Sequence, residues 1–304
     1  MGIFDMSDLC YLTYYLGIEV DQTKDGILLT QAGYAQKILE VAGMAECNST
    51  LFPMQPKIKL NKDEGDKPYD ATTYRRIIGS IRYLIYTRPD LSYSVGVVSK
   101  YMQNPIVSHY NTVKQILRYI KGTINFGLKY CRGGNGEVLG YSDNSNGNGL
   151  DDGRGATGLA FYYSGNLVTW ASQKQRTVAL SLCEDEFMAA AAAVCQALWL
   201  RNLIADLLGK EAQMVTLLVD NEAAISLMKN PVFHGRSKHI DTRYHFIREC
   251  VERSQICVKH VSGSLQKADI LTKSLGKLKL CEMRRLIGVH EAQVQANITG
   301  ESVG

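Results

Sequence analysis

Residues 138–143 read VLGYSD, and two further β-rich stretches follow them, GLAFYY at 158–163 and LVTWAS at 167–172. A long helix is predicted next, over 181–208, and then the strand VTLLVD at 215–220. The remaining predicted elements are two helices over 221–229 and 241–253, the strand ICVKHV at 256–261, and a helix from 266. Three strands in a meander, followed by alternating helices and strands, predict an α/β fold: a mixed five-stranded sheet with flanking helices.

The residues before this sheet have a different pattern. Residues 14–20 and 26–30 are predicted to pair as a hairpin, and residues 35–41 to form a short helix. From Asp70 to Lys121 apolar residues recur at helical spacing, which predicts a mainly helical α+β unit. The Gly-rich run 132–136 is the predicted boundary. The predicted division is a first unit over 1–131, a second unit over 132–290 and a C-terminal tail over 291–304.

Length and composition limit the class of protein. A chain of 304 residues, 45% of them hydrophobic, is long enough for two packed units and too apolar for a disordered protein. It contains no run of 18 apolar residues, so we expect no membrane-spanning helix. None of the eight cysteines forms a C-x-x-C pair, and the N-terminus has no basic region typical of a secretory signal. An intracellular, reducing location is therefore expected.

Positive charge is concentrated in two segments. Residues 67–132 contain 11 Lys and Arg against 2 Asp and Glu, and residues 229–285 contain 13 against 5, whereas residues 1–66 contain 5 against 10. Such segments favour a polyanionic partner, although a basic run is also typical of a solvated surface. The residues expected to contact a nucleic-acid backbone are Arg75, Arg76, Arg82, Asn221, Lys238 and Arg243.

Four carboxylates occupy positions from which they can converge. Asp143 and Asp220 end predicted strands, Glu186 lies in the first turns of the long helix, and Asp269 lies at the start of the last helix. Strand ends and adjoining helix starts can meet at one edge of a sheet, and hard divalent cations prefer oxygen ligands. The set therefore predicts a site for two Mg²⁺ or Mn²⁺ ions that act on a phosphodiester.

Asp241 competes with Asp269 as the fourth ligand, although it is also explained as a favourable charge at a helix start. His234, His239 and His245 lack a cysteine or carboxylate at zinc spacing, so no zinc site is expected.

The chain resembles the last part of the Pol polyprotein of copia-type retrotransposons, namely the end of the reverse transcriptase followed by its ribonuclease H domain. The resemblance covers nearly the whole chain. The motifs that carry it include YYLGIEV at 14–20, YRRIIGSIRYLIYTRPDLSYSVGVVSKYMQNP at 74–105, YSD at 141–143, EDEFMA at 184–189, VDNEAA at 219–224 and KADILTKSL at 267–275. It implies an RNase H-like fold in the second unit and a reverse-transcriptase remnant, the palm end with thumb and connection, in the first. The family's metal-binding acids fall on Asp143, Glu186, Asp220 and Asp269.

The resemblance also implies an activity and partners. The expected activity is metal-dependent cleavage of the RNA strand of an RNA–DNA hybrid, without an organic cofactor. Expected partners are hybrid or duplex nucleic acid and other Pol segments, and the expected location is a cytoplasmic virus-like particle or the nucleus. The polymerase's Tyr-x-Asp-Asp-type hairpin does not occur, so no DNA synthesis is expected from this chain.

The chain departs from the family beside Asp143. Residues 144–150 form a polar Asn- and Gly-rich loop, where the family has a second aspartate, a tryptophan and a small residue. Ordering such a loop costs chain entropy, which predicts weak cleavage that needs high metal concentrations. The alternative hypotheses are an inactive nucleic-acid-binding or functionless remnant, and a DNA nuclease or integrase of the same fold, which the four-acid order disfavours.

Overall fold

The computed structural model describes residues 11–62, 65–145, 151–179, 181–229 and 241–292, except for the side chains of 241–244. Its described part contains two five-stranded sheets with helices packed on them. The strands are β1 Tyr14–Tyr15, β2 Ile18–Gln22, β3 Gly26–Thr30, β4 Phe126–Cys131, β5 Val138–Asn144, β6 Ala156–Tyr163, β7 Asn166–Lys174, β8 Val215–Val219, β9 Ile256–His260 and β10 Val289–Glu291. The helices are α1 Ala32–Val41, α2 Ala71–Leu84, α3 Ser92–Ser99, α4 Val107–Lys121, α5 Leu182–Leu208, α6 Glu222–Lys229, α7 Asp241–Glu252 and α8 Lys277–Leu286, with two 3-10 helices, Pro89–Leu91 and Lys267–Leu271.

The second sheet has the strand order β7–β6–β5–β8–β9. Strands β5, β6 and β7 form an antiparallel meander, and β8 and β9 then add parallel to β5 on its other side. The long helix α5 connects β7 to β8 and packs against β5 and β8. This order and direction of strands are those of the ribonuclease H-like fold, so the predicted α/β fold class is confirmed.

The first sheet has the order β1–β2–β3–β4–β10 and is antiparallel throughout. The predicted hairpin is confirmed in part. Strand β2 pairs with β3, with Glu19 opposite Thr30, but the predicted strand 14–20 is interrupted at Leu16 and Gly17 and forms β1 and β2, which pair with each other. The sequence reasoning missed β4, and it also missed that β10 pairs with β4. As a result, Val289 and His290 at the end of the predicted second unit, together with Glu291 of the predicted tail, supply an edge strand to the sheet of the first unit.

The two units share a hydrophobic core. Leu91 and Val95, from the helical part of the first unit, belong to the same buried cluster as Ile270, Leu271 and Met283. These last residues come from the segment for which the sequence predicted one helix from 266. That prediction was partly wrong, because the segment forms the short 3-10 helix Lys267–Leu271 and then the separate helix α8. The 3-10 helix carries Asp269, so the first unit helps to position a candidate site residue.

A buried ion pair stabilises the first unit. The guanidinium of Arg88, 1% exposed, donates to both carboxylate oxygens of Asp90 at 2.9 and 2.8 Å. Tyr119 donates to the same carboxylate at 2.7 Å, and Arg88 also donates to the carbonyl of Thr123 at 2.8 Å. Burial alone would raise the pKa of Asp90, but Arg88 and Tyr119 outweigh it, and this pKa lies below its usual value.

Helix α5, with 27 residues, is the longest described helix. By length and composition alone it could cross a membrane, but half of its most apolar 18-residue window is buried inside the structure. Its buried side includes Phe187, Val194 and Ala197, which pack against the second sheet. These contacts are those of the core helix of an α/β unit.

Candidate active site

The candidate site lies at one edge of the second sheet. Asp143 is the next-to-last residue of strand β5, and Asp220 directly follows the neighbouring parallel strand β8. Parallel neighbours end at the same edge, which brings these two acids together. Glu186 lies one turn into α5, whose first residues are fixed because the side chain of Ser181 accepts a hydrogen bond from the backbone N–H of Glu184.

Three of the four predicted acids form one compact group. One carboxylate oxygen each from Asp143, Glu186 and Asp220 lies within 4.8 Å of the others. Asp143 is 1% and Glu186 6% exposed, whereas Asp220 is half-buried. Among the described residues, the Oε2 atom of Glu186 is buried and has no hydrogen-bond partner.

Burial and mutual repulsion raise the pKa values of this group. Burial raises the pKa of Glu186 to about 9, and the charges of Asp143 and Asp220 add to the effect. Burial likewise raises the pKa of Asp143 to about 7, with Asp269 adding to the rise and Lys273 opposing it. The pKa of Asp220 is raised as well, mainly by burial. Three carboxyl groups in these surroundings favour a bound cation or bound protons.

Asp269 joins the group through a lysine. The Nζ atom of Lys273 lies 2.7 Å from Asp269 and 3.4 Å from Asp143, so these two carboxylates are at most 6.1 Å apart, the sum of the two distances. Burial alone would lower the pKa of Lys273, but the two carboxylates outweigh it and raise this pKa. Asp269 is therefore close to Asp143 but is paired with an ammonium group.

Thr272 fixes the inner side of the site. Its hydroxyl donates to Oδ2 of Asp143, and buried Gln266 donates to the carbonyl of Ser142 at 2.9 Å. The segment can approach β6 because residue 158 is glycine. A Cβ atom at Gly158 would lie 2.5 Å from Cγ2 of Thr272. The sequence reasoning quoted Thr272 and Lys273 within the KADILTKSL motif but gave neither a role.

The donor set fits a divalent metal ion. Carboxylate oxygens are the ligands that Mg²⁺ and Mn²⁺ prefer, and three of them converge here. The unpartnered Oε2 atom of Glu186 is a buried acceptor that a cation would satisfy. The described residues therefore bring Asp143, Glu186 and Asp220 together in a form suited to one ion, with Asp269 beside them.

The loop after Asp143 is fixed where it begins. Asn144 and Ser145 are buried, and the hydroxyl of Ser145 accepts a hydrogen bond from the backbone N–H of Ala156 at 2.6 Å. Residues 146–150, which carry most of the departure from the family pattern, lie outside the described residues.

The residues predicted to bind nucleic acid are only partly described. Arg75, Arg76 and Arg82 are exposed on α2, and Asn221 accepts a hydrogen bond from the backbone N–H of Ala224 at 3.0 Å. Lys238 and the side chain of Arg243 lie outside the described residues. Contact with nucleic acid stays a prediction for all six residues.

The competing residues are also partly described. His234, His239 and the side chain of Asp241 lie outside the described residues, and His245 is exposed on α7. His260 is exposed at the end of β9, the strand that pairs with β8, which Asp220 follows.

Comparison with known proteins identifies the family. A family model described as reverse transcriptase (RNA-dependent DNA polymerase) matches residues 2–56. The chain is 37% identical over 278 residues to the retrovirus-related Pol polyprotein from transposon RE2 of Arabidopsis thaliana, covering 91% of this chain and 19% of that protein. It is 34% identical to the uncharacterized mitochondrial protein AtMg00810 of the same plant, covering 64% of this chain and 81% of that protein. Among solved structures, LC11-RNase H1 in complex with RNA/DNA hybrid matches with a TM-score of 0.33 at 15% identity, covering 45% of this chain and 94% of that one.

The fold and the carboxylate group define an RNase H-like unit behind a reverse-transcriptase segment. The chain belongs to the Pol polyprotein family of copia-type retrotransposons. It spans about a fifth of the length of the Pol polyproteins that it matches.

Proposed function

We propose that this chain is a metal-dependent endonuclease that cleaves the RNA strand of RNA–DNA hybrids. The observation that carries the proposal is the convergence of Asp143, Glu186 and Asp220 at the edge of an RNase H-like sheet. Membership in the Pol family supports nucleic acid as the partner. The protein contacts the phosphates and 2′-hydroxyls of the hybrid, so its preference for particular nucleotide sequences is weak.

Different residues of the chain have different roles at the proposed metal site. Asp143, Glu186 and Asp220 hold a first Mg²⁺ or Mn²⁺ ion, and Thr272 orients Asp143 through its hydrogen bond. A bound metal of this kind supplies an activated water and stabilises negative charge on the phosphate. Asp269, whose Oδ1 atom is paired with Lys273, would be the candidate ligand for a second ion.

A second function has its own support. Lys273 neutralises part of the acidic group without any metal, because its ammonium contacts both Asp143 and Asp269. A protein stabilised in this way can bind hybrid without cleaving it. The alternative to the enzyme is therefore an inactive hybrid-binding remnant.

The deciding experiment is cleavage of a labelled RNA–DNA hybrid with Mg²⁺, with Mn²⁺ and with EDTA. We expect cleavage with metal, strongest at high concentrations, and its loss in Asp220→Asn, while hybrid binding survives in that variant. Asp206→Asn, on the exposed end of α5, is the matched control and should cleave like the unmodified chain. If the unmodified chain binds hybrid but fails to cleave it at any metal concentration, the remnant is the correct interpretation.

A further inference from the structure

A cleft of about 480 Å³ lies between the two units, next to the carboxylate group. One wall comes from the first unit, namely residues 57–60, Tyr93, Val97, Lys100 and Tyr101. The other comes from the second unit, namely Ser145, Asp151, Asp152, Arg154, Ala156, Lys174 and residues 272–274. Thr272 and Lys273 line the cleft and also contact Asp143. The cleft therefore opens directly beside the candidate active site.

Positive charge dominates the lining of the cleft. The cationic side chains that line it are Lys57, Lys59, Lys100, Arg154, Lys174 and Lys273. The two acids in the lining, Asp151 and Asp152, are already engaged. Asp151 accepts from the backbone N–H of Lys62 at 3.0 Å, and Asp152 accepts from Lys174. This Asp pair therefore anchors the wall of a basic cleft.

Two of these cations are less than fully paired: Lys100 has no ion pair among the described residues, and Arg154, whose side chain is 42% exposed, forms only a long one with Asp152. Lys100 is half-buried, and within the described ranges no carboxylate lies within 4.0 Å of its ammonium. Burial, with the charge of Lys174 adding to it, lowers the pKa of Lys100. The buried Nε atom of Arg154 has no hydrogen-bond acceptor among the described residues, and its nearest carboxylate oxygen, on Asp152, is 3.9 Å away. Unpaired buried donors cost free energy, which a bound anion would offset.

The second unit holds the opposite wall in place. Lys57 has a φ of 60°, in the left-handed region that non-glycine residues rarely adopt. Its backbone N–H donates to the hydroxyl of Ser274 at 3.2 Å, one residue after Lys273. Backbone strain that is maintained by contacts often marks a functional position. A lysine of the first unit is thus fixed against the segment that carries the candidate site.

We propose that this cleft binds consecutive phosphates of one nucleic-acid strand and so sets the position of the strand relative to the carboxylate group. The inference rests on the proposed function, since it takes nucleic acid as the ligand. The cations are spread along both walls, an arrangement suited to a backbone that carries several charges. Contacts of this kind position the strand without reading its sequence.

The test measures binding without metal. A labelled RNA–DNA hybrid is titrated in EDTA over a series of salt concentrations, with fluorescence anisotropy as the readout. Each phosphate contact contributes about 0.9 to the slope of log affinity against log salt for duplex DNA. We expect Lys59→Gln/Lys100→Gln to lower the affinity and reduce the slope by roughly 1.8. The matched control is Lys37→Gln/Lys210→Gln, which removes the same charge at exposed positions away from the cleft.

The outcomes separate this inference from the proposed function. Lys100→Arg keeps the charge and should keep the affinity, whereas Arg154→Gln should weaken binding as Lys100→Gln does. If the cleft variant matches its control in affinity and slope while the unmodified chain cleaves hybrid, the cleft assignment is wrong and the enzyme stands. If Lys59→Gln/Lys100→Gln loses affinity for the hybrid, and neither the unmodified chain nor any variant cleaves the hybrid with either metal, the cleft assignment is supported and the proposed enzymatic activity is wrong.

Discussion

Replacing Glu186 by glutamine should stabilise the metal-free protein, although it removes a proposed metal ligand. Burial and the neighbouring carboxylates raise the pKa of Glu186 to about 9, so the folded state keeps this carboxyl protonated at pH 7. In the unfolded chain the pKa of this carboxyl is near its ordinary value of 4.5. Between pH 4.5 and 9 the unfolded state therefore releases a proton that the folded state retains, and the free energy of unfolding falls as the pH rises.

The magnitude follows from this difference. Each unit of pKa is worth about 1.4 kcal/mol, so at pH 7 the ionisation of Glu186 in the unfolded chain favours unfolding by roughly 3 kcal/mol. Glutamine has nearly the same shape and never ionises. We therefore expect Glu186→Gln to raise the free energy of unfolding by about 3 kcal/mol at pH 7 but by less than about 1 kcal/mol at pH 5.

Urea unfolding in EDTA, followed by tryptophan fluorescence, checks this expectation. The chain has two tryptophans, Trp170 and Trp199, and both lie in the second unit. Glu40→Gln, at an exposed position of α1, is the control and should unfold like the unmodified chain. Added Mg²⁺ should stabilise the unmodified chain but not Glu186→Gln. A loss of stability in Glu186→Gln at pH 7, or a pH dependence equal to that of the unmodified chain, would refute the reasoning.

Two further predictions concern cations paired with buried carboxylates. Asp90→Asn leaves the buried guanidinium of Arg88 without a counter-charge, so it should lower the free energy of unfolding by about 3–5 kcal/mol, measured by circular dichroism in urea, with exposed Asp21→Asn as the control. A change below 1 kcal/mol would show that the pair is dispensable. Lys273→Gln removes the ammonium between Asp143 and Asp269, so it should lower stability in EDTA at pH 8 and increase Mn²⁺ affinity in calorimetric titrations. Unchanged Mn²⁺ affinity would mean that Lys273 does not compete with metal.

Local sequence patterns predicted much of this fold. Alternation and apolar runs report which face of an element is buried, and they located the five strands of the second sheet and the long helix α5. They also singled out Asp143, Glu186 and Asp220, because an acid that directly ends a buried strand, or opens a buried helix, has little freedom in where its carboxylate lies. The position of Asp269 at the start of the last predicted helix added it to this set, and the resemblance to a known family then pointed to the same four acids. Which of these acids act in catalysis stays a prediction.

The tertiary structure alone decided which distant segments meet. Strand β4 was missed because its partners, β3 and β10, are far away in the chain. The residues of a strand do not by themselves indicate which other strand it pairs with. The predicted helix from 266 became a 3-10 helix that fits between the first unit's core and Gly158. The pairing of Lys273 with Asp143, which are 130 residues apart, and the basic cleft beside them arise where segments distant in the sequence pack together. Local periodicity records burial, whereas contacts between side chains depend on packing across the whole chain, which is why these features appear only in three dimensions.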